Sequence, residues 1–400
     1  MDKENEQLSS AKTSAVHDIN AIQEDTPQDQ GLTQPPTYKP LIQPKEALKK
    51  ELAQEGILFA QGAAAGKIPA SALEGKTVIR AEDIAFRVYG KTEYEVKQKL
   101  DLLCKKIATQ KERDVELGLA ALYLFLNKLQ TDLPKNEWLN LIKEVILKHP
   151  ITHIIYLDPC TKRSFEKPKG YPGDAALLDY FYKINTLCSD NLGKKLLEKT
   201  INRPAAEAVR NRAELIANYI DKVALKIYKP RILSIACGHL REASLSKAII
   251  NNKIGELVAV DHDLDTLEVI KQGLTTYNIT TIQNSILNLI KGQKKNKLGK
   301  FDLVYSAGLF DYLSERMGQA LTKYMFNMLN PGGTLLITNF IPNIPDKGYM
   351  EAFMDWKLIY REIPQIELLA RNLQFKNIQE KRIFRNENNN ILYLEISKIK

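Results

Sequence analysis

The sequence has few cysteines and no CxxC pair. Its four cysteines are too few for a disulfide framework in a chain of 400 residues. The five histidines show no spacing typical of metal ligands, such as HExxH. These absences predict a protein of a reducing compartment that contains no metal site.

Long apolar runs are also missing. No stretch approaches the roughly 18 consecutive apolar residues that a membrane-spanning helix needs. The first residues, MDKENEQLSSAK, are acidic and polar, whereas a signal peptide begins with basic residues and continues with apolar ones. We therefore expect a cytoplasmic protein with no membrane span.

Positive charge is only in mild excess. Lys and Arg number 57 against 48 Asp and Glu, which gives a net charge of +9 that is spread along the chain. A surface that binds nucleic acid combines basic side chains with aromatic ones on which bases stack. The most basic loop of this chain has no aromatic side chains between its lysines. Its lysines are Lys294, Lys295, Lys297 and Lys300. We expect a solvated loop and no nucleic-acid partner.

The features that are present divide the chain into four parts. Residues 1–44 are polar without an apolar period, which predicts a disordered tail. Residues 45–150 have helical periodicity, and the next part, 151–227, is expected to be a helical lid or linker. The periodicity is clearest where apolar residues recur every three or four positions, at Val115, Leu119, Leu122, Leu126 and Leu129. Residues 228–400 form the fourth part.

In this fourth part, short apolar runs alternate with helical stretches. The predicted strands are 232–236, 257–260, 281–282, 303–305 and 334–338, and the predicted helices are 242–250, 265–277 and 315–329. This alternation predicts an α/β fold with a doubly wound, mostly parallel sheet. Two last apolar runs, 378–384 and 391–396, flank an Asn-rich loop and predict a C-terminal antiparallel hairpin.

Gly238 and Asp261 end two successive predicted strands and lie 23 positions apart. This separation is close to the ~20 residues expected between a glycine turn and an acid that binds a ribose. The positions after Gly238 are His239, Leu240 and Arg241, so a full GxGxxG is absent. The missing glycines argue against NAD or FAD, whose pyrophosphate needs several free backbone amides. A nucleoside without phosphates, such as S-adenosylmethionine, has no such need.

The part from 228 to 400 resembles class I S-adenosylmethionine-dependent methyltransferases. The similarity lies in the segments 232–238, 258–261, 301–306 and 329–335, in this order, and in the terminal hairpin. The resemblance implies a seven-stranded, Rossmann-like sheet and S-adenosylmethionine as the cofactor.

A narrower resemblance covers residues 150–400. The segments KPKGYPGD (167–174), AGLFDYL (307–313), YMEAFMDW (349–356) and IYR (359–361) are similar to bacterial 3-hydroxypalmitic acid methyl ester biosynthesis proteins. These enzymes methylate the carboxyl group of a 3-hydroxy fatty acid. The resemblance therefore implies a small-molecule carboxylate as the methyl acceptor.

The resemblance also implies the residues that contact the cofactor. Asp261 would hold the ribose, and His262 would lie beside the adenine. Ser234 stands where many members of the fold have an acid, so we expect Asp174 to contact the methionine amino group instead. The remaining contacts would come from Ala236, Cys237, Gly238, Arg241, Asn284, Ser285, Ser306 and Ala307.

Catalytic and acceptor-binding candidates follow from the same segments. The turn 170–174 is expected to be a lid with Tyr171 and Asp174 pointing inwards. Trp356 and Tyr360 are spaced as neighbours on one helix face, either as core residues or as a wall of the acceptor pocket. The remaining candidates are Asp311, Tyr312 and Arg361.

Several arginines allow two interpretations, and one cysteine allows a simpler one. Arg241 opposes the dipole of a helix start, so we expect it to pair with a ligand carboxylate or a buried acid. Arg203, Arg210 and Arg212 read as a solvated helix face, with Arg210 as an alternative carboxylate ligand. Cys237 reads as a small packing residue because no base is visible beside it.

The predicted reaction is the transfer of a methyl group to an acceptor oxygen. A carboxylate, with a pKa near 4, is ionised at neutral pH and needs no general base. An amine acceptor would need a motif such as Asn/Asp-Pro-Pro-Tyr, where this chain has SAGL at 306–309. Two alternatives stay open: a methyltransferase that acts on protein or RNA, and a nucleotide-binding protein that does not methylate.

Overall fold

The computed structural model describes residues 91–292, 298–385 and 389–400, and the backbone of two short strands before them. These strands, β1 (Leu58–Ala60) and β2 (Val78–Arg80), pair in parallel and were not predicted. The predictions for residues 1–44 and for Lys294, Lys295 and Lys297 lie outside the described residues.

Eight helices precede the large sheet within the described residues. They are α1 (Glu93–Ala108), α2 (Glu112–Asp132), α3 (Lys135–Leu141, extended by a π-helical turn Ile142–Ile146), α4 (Ile151–Ile155), α5 (Pro159–Glu166), α6 (Ala175–Phe181), α7 (Asn191–Thr200) and α8 (Pro204–Lys226). The apolar residues that predicted the helix at 111–130 are all buried along α2. Helices α1 to α3 thus occupy most of residues 91–150, whereas β1 and β2 lie in the part 45–90 for which helices were predicted.

The seven-stranded sheet has the order β5-β4-β3-β6-β7-β9-β8. Its strands are β3 (Arg231–Ile235), β4 (Glu256–Asp261), β5 (Ile279–Gln283), β6 (Phe301–Ser306), β7 (Leu329–Phe340), β8 (Ile378–Arg385) and β9 (Ile391–Lys398). All neighbours are parallel except β9, which runs antiparallel to both β7 and β8. This is the predicted Rossmann-like sheet with a terminal hairpin, whose second strand inserts beside β7.

Helices connect these strands. They are α9 (Lys247–Ile250), α10 (Leu264–Gly273), α11 (Ile286–Lys291), α12 (Glu315–Asn327), α13 (Lys347–Phe353) and α14 (Ile363–Leu368). Short 3-10 turns occupy Arg241–Ser244, Phe310–Tyr312 and Phe375–Asn377. The predicted helix at 242–250 is therefore a 3-10 turn followed by a single α-helical turn.

The N-terminal helices pack against the segment that follows β7. Trp138 donates its indole N–H to Glu351 over 2.7 Å, and the ring of Tyr123 stacks on Tyr349 at a centroid distance of 4.1 Å. Gly348 lies so close to α2 that a Cβ on it would be 2.4 Å from the carbonyl oxygen of Leu126. The helices and the sheet thus share one core.

The prediction that Trp356 and Tyr360 share a helix face is wrong. Helix α13 ends at Phe353, and residues 355–362 have no helical structure. Asp355 has a φ of +44°, a left-handed conformation that interrupts a right-handed helix. Trp356 instead folds back, and its backbone N–H donates to the carbonyl oxygen of Met350.

Candidate functional site

A sharp turn follows β3. Ala236, Gly238 and Leu240 have φ values of +52°, +53° and +52°, in the left-handed region. A Cβ added at Gly238 would meet only the side chain of Ala175, at 3.7 Å, so this glycine faces open space. The turn is tied to the next strand because Cys237 donates its backbone N–H to the carbonyl oxygen of Val260.

The carboxylate of Asp261 lies directly beside this turn. Its Oδ2 accepts the backbone N–H of Gly238 over 3.0 Å, and its Oδ1 accepts that of Asp263 over 3.1 Å. His262 Nδ1 is 3.1 Å from Oδ1. The predicted proximity of Gly238 and Asp261 is therefore present, because the carboxyl ends of adjacent parallel strands meet at one edge of the sheet.

The charge state of this carboxylate suits a hydrogen-bond acceptor. Burial alone would raise the pKa of Asp261, but the hydrogen bond and charge of His262 and the two backbone amides lower it below its usual value. The same hydrogen bond raises the pKa of His262. Asp261 is thus ionised at neutral pH and retains lone pairs for further donors.

A cavity of about 620 Å³ opens at the carboxyl ends of β3, β4, β5 and β6. It lies where the strand order reverses between β3 and β6, the usual ligand position in an open α/β sheet. Seven of the predicted cofactor residues line it: Ala236, Gly238, Asp261, His262, Asn284, Ser285 and Ala307.

The segment 167–174 crosses the edge of this cavity. The ring of Tyr171 is 5.6 Å from that of His262, and Lys169 forms ion pairs with Asp263, at 3.2 Å, and Asp265. Gly173 has a φ of +73°. The predicted inward orientation of Tyr171 agrees with its place on the cavity wall.

The structure places Asp174 outside the cavity. Both of its carboxylate oxygens accept hydrogen bonds from the guanidinium of Arg163, over 3.0 and 2.9 Å. Its Oδ1 also caps α6 by accepting the backbone N–H of Leu177 over 2.7 Å. Asp174 is therefore engaged in a helix cap and an ion pair, which contradicts its predicted inward orientation and leaves its predicted contact to the cofactor amino group without support.

Three other predicted cofactor residues also lie off the cavity wall. Arg241 makes two 2.7 Å hydrogen bonds to the carboxylate of Asp179 on α6, so its partner in the structure is an acid of the chain, although a half-buried one. Ser306 donates its hydroxyl to the carbonyl oxygen of Ile235. Cys237 is buried, and this burial raises the pKa of its thiol. These three residues support the turn after β3 but do not line the cavity.

Of the catalytic candidates, Tyr171, Asp311 and Tyr312 line the cavity. Burial raises the pKa of Asp311 to about 7, against the opposing charges of Arg212 and Arg361. The hydroxyl of Tyr312 accepts the indole N–H of Trp356 over 2.7 Å. Trp356 also lines the cavity, although no helix presents it there.

Tyr360 and Arg361 do not line the cavity. Arg361 is 3% exposed and donates to the carbonyl oxygens of Phe310 and Leu313 and to the side chain of Asn339. It therefore fixes the loop after β6. The ring of Tyr360 faces the ammonium group of Lys347 at 4.8 Å.

Arg212 is the main residue that the sequence prediction missed. It lines the cavity from α8 and is only 4% exposed, so the prediction of a solvated face is wrong for it. The signal was present, because Arg212 stands three residues after Val209 and four before Ile216, on the buried stripe. Arg210, the predicted alternative, donates instead to the carbonyl oxygens of Phe181 and Ile201.

Solved structures of methyltransferases are similar to this chain. No protein-family model and no curated protein matches it. A possible exported protein from Bordetella parapertussis is 16% identical, with a TM-score of 0.46 over 57% of this chain and 80% of that one. The N-methyltransferase NodS from Bradyrhizobium japonicum, in complex with S-adenosyl-L-homocysteine, is 16% identical, with a TM-score of 0.34 over 46% and 86%.

A third similar structure is the magnesium protoporphyrin IX methyltransferase from Synechocystis with bound S-adenosylmethionine. It is 12% identical, with a TM-score of 0.34 over 48% of this chain and 82% of that one. The strand order of this chain itself, rather than any of these similarities, defines the Rossmann-like fold.

Two kinds of feature are absent from the described residues. Among them, no helix is both long and apolar enough to cross a lipid bilayer. In the same part of the chain, no group of three or more His, Cys, Asp or Glu side chains is placed to hold a metal ion.

Proposed function

We propose that this chain is an S-adenosylmethionine-dependent methyltransferase that methylates the carboxylate of a small molecule, such as a 3-hydroxy fatty acid. The observation that carries the proposal is the 3.0 Å hydrogen bond from the Gly238 amide to Asp261 at the rim of the cavity. It brings together a half-buried glycine turn and an ionised acid at the topological switch point, an arrangement that suits an adenosine.

The residues around the cavity fit this cofactor. Among the described residues, Oδ2 of Asp261 accepts only the Gly238 amide and can take one ribose hydroxyl, and Oδ1 would accept the vicinal hydroxyl in place of His262. Gly238 adds no side chain to the adjoining space, where a Cβ would meet only the side chain of Ala175, at 3.7 Å. His262, Asn284 and Ser285 line the cavity next to Asp261 and would contact the adenine.

When bound, S-adenosylmethionine supplies a methyl group on a positively charged sulfur, which is already a good leaving centre. The chain's own contribution is to align the acceptor and to exclude water. Tyr171, Gly173 and Trp356 line the cavity and would limit the access of solvent. No proton has to be removed from a carboxylate acceptor at neutral pH.

The composition of the remaining wall supports an acceptor with an apolar chain. Several apolar side chains line the cavity beyond the residues near Asp261, namely Leu178, Val209, Leu309, Leu313, Phe340 and Leu358. Burying an alkyl chain there would contribute about 0.8 kcal/mol for each methylene group. A fatty-acid-like molecule suits such a wall better than a polar macromolecule.

We also propose a cytoplasmic location. All four cysteines are free thiols, and Cys104 and Cys188 are partly accessible to solvent. Partly accessible free thiols are stable in a reducing compartment.

Incubation with radiolabelled S-adenosylmethionine and a cell extract tests the proposed function. We expect label in the lipid fraction, and a labelled methyl ester from purified 3-hydroxydecanoate but no labelled product from its methyl ester, which has no free carboxylate. Label in protein or RNA would contradict the acceptor assignment. Absence of transfer together with retained binding of S-adenosylhomocysteine would favour a binding protein that does not methylate.

A further inference from the structure

Arg212 places a buried positive charge on the wall of the cavity. The residue is 4% exposed, and its Nε has no hydrogen-bond partner among the described residues. A guanidinium is costly to bury unless an anion or a set of acceptors compensates it. Arg361, the other buried arginine among the described residues, is compensated in this way, because it donates to two carbonyl oxygens and an amide oxygen.

The backbone after β6 leaves space for this guanidinium. Gly308 has a φ of +96°, and a Cβ on it would lie 3.0 Å from Nη1 and 3.2 Å from Nη2 of Arg212. Because Gly308 has no side chain, the guanidinium of Arg212 can lie against the loop that follows β6. Gly308 and Arg212 both line the cavity, so this contact is part of its wall.

Asp311 does not neutralise Arg212 by an ion pair. The charge of Arg212 lowers the pKa of Asp311 and that of Glu242 against the effect of burial, but among the described residues neither carboxylate forms an ion pair or a hydrogen bond with Arg212. Oδ1 of Asp311 already accepts the backbone N–H of Phe340 over 2.7 Å. The hydrogen-bonding capacity of Arg212 is thus available to a ligand.

We propose that Arg212 binds a carboxylate group of the ligands that enter this cavity. A guanidinium matches a carboxylate with two parallel hydrogen bonds, which no other side chain does as well. The proposal rests on the proposed function for the source of that carboxylate. It belongs either to the methionine end of the methyl donor or to the acceptor, and the experiment below distinguishes the two.

A consequence for stability separates this role from a structural one. If Arg212 binds a ligand, its replacement by Met removes a buried guanidinium whose Nε has no hydrogen-bond partner among the described residues, and keeps an unbranched but shorter side chain. The unfolding temperature of the ligand-free protein should then stay equal or rise. A structural arginine would show the opposite, because its lost partners would destabilise the fold.

Calorimetric titration with two pairs of probes tests the proposal. S-adenosylhomocysteine is compared with 5′-methylthioadenosine, which has the same adenosine but no amino-acid end. 3-Hydroxydecanoate is compared with its methyl ester. The proteins are the wild type, Arg212→Met, and Lys226→Met as a control that removes a charge from the exposed end of the same helix.

We expect Arg212→Met to weaken the binding of one carboxylate at least tenfold and to leave its partner probe within twofold. Selective loss of S-adenosylhomocysteine assigns Arg212 to the donor, and selective loss of 3-hydroxydecanoate assigns it to the acceptor. Lys226→Met should change neither. Arg212→Lys keeps the charge without the two-pronged geometry, should lose part of the affinity, and gives the same readout if Arg212→Met does not fold.

The proposal is overturned if the Arg212 variants bind every carboxylate within twofold of the wild type. It is also overturned if the wild type does not distinguish either carboxylate from its partner probe. If the wild type binds neither nucleoside, the proposed function fails, whereas 3-hydroxydecanoate and its ester still decide the role of Arg212.

Discussion

The backbone N–H of Phe340, the last residue of β7, donates to Oδ1 of Asp311 over 2.7 Å. This hydrogen bond connects the end of β7 to the 3-10 turn that follows β6. Both residues line the cavity. Asp311 is 2% exposed, and burial raises its pKa to about 7. A carboxyl group is thus held in a position where its charge is unfavourable.

This relationship predicts a pH dependence of stability. The folded-state pKa of Asp311 is raised above the unfolded value near 4, so its protonated form stabilises the fold at low pH. That contribution is lost as the pH rises from about 4 to about 7. Asp311→Asn keeps the acceptor oxygen for Phe340 but cannot ionise, so its stability advantage over the wild type should grow across this range.

Thermal unfolding of both proteins between pH 4 and pH 8 measures this difference. We expect the unfolding temperature of Asp311→Asn minus that of the wild type to increase with pH and to level off above about pH 7. A difference that does not change with pH would show that Asp311 has an ordinary pKa.

Gly173 should tolerate no side chain. A Cβ there would lie 2.3 Å from Cζ2 of Trp356 and 2.8 Å from the hydroxyl of Tyr312. Gly173→Ala should therefore displace the segment 167–174, cost about 1–3 kcal/mol of unfolding free energy, and weaken the binding of S-adenosylhomocysteine at least fivefold.

Gly292→Ala is the matched control for Gly173→Ala. Gly292 has a comparable left-handed φ of +62°, but a Cβ there would meet nothing within 4 Å. Both variants carry the same backbone penalty, and only one carries the clash. Equal losses of stability and affinity in the two variants would contradict the packing of Gly173 against Trp356.

Asp174→Ala should reduce stability without reducing cofactor affinity. The variant loses the cap of α6 and leaves Arg163 unpaired, which together cost about 2–4 kcal/mol. Asp190→Ala, which removes only the cap of α7, should cost less. Chemical denaturation measures both, and calorimetry should give an S-adenosylhomocysteine affinity within threefold of the wild type. A tenfold weaker affinity at unchanged stability would instead return Asp174 to the cofactor site.

Trp138→Phe tests whether the N-terminal helices belong to the same cooperative unit as the sheet. The variant leaves the half-buried carboxyl group of Glu351 without its indole donor, which costs about 1–3 kcal/mol. Tyr94→Phe removes an exposed hydrogen bond to Gln98 and should cost less than about 0.5 kcal/mol. We expect one urea transition in both variants. Two separate transitions would mean that the helices fold independently.

The sheet could be predicted because strands buried on both faces read as apolar runs. The proximity of Gly238 and Asp261 could be predicted because adjacent parallel strands end at one edge. Both inferences need only local patterns and one topological rule. The two residues meet in the structure as that rule requires.

Pairings between distant segments could not be predicted in this way. No local pattern in the sequence indicates that Asp174 pairs with Arg163, or that Arg241 pairs with Asp179 on α6. Trp356 lines the cavity because the left-handed conformation of Asp355 prevents the helix before it from continuing. Because Arg212 is charged, we predicted that it is solvated, although its position on the apolar stripe of α8 indicated that it is buried.

The most direct test of the central claim is the affinity of S-adenosylhomocysteine for the wild type and for Asp261→Ala. We predict saturable binding to the wild type and a loss of about 100-fold in the variant, because two hydrogen bonds to a charged acceptor disappear. Asp302→Ala, at the opposite end of β6, should bind like the wild type. Affinity of Asp261→Ala within threefold of the wild type, or no binding to the wild type, would contradict the account.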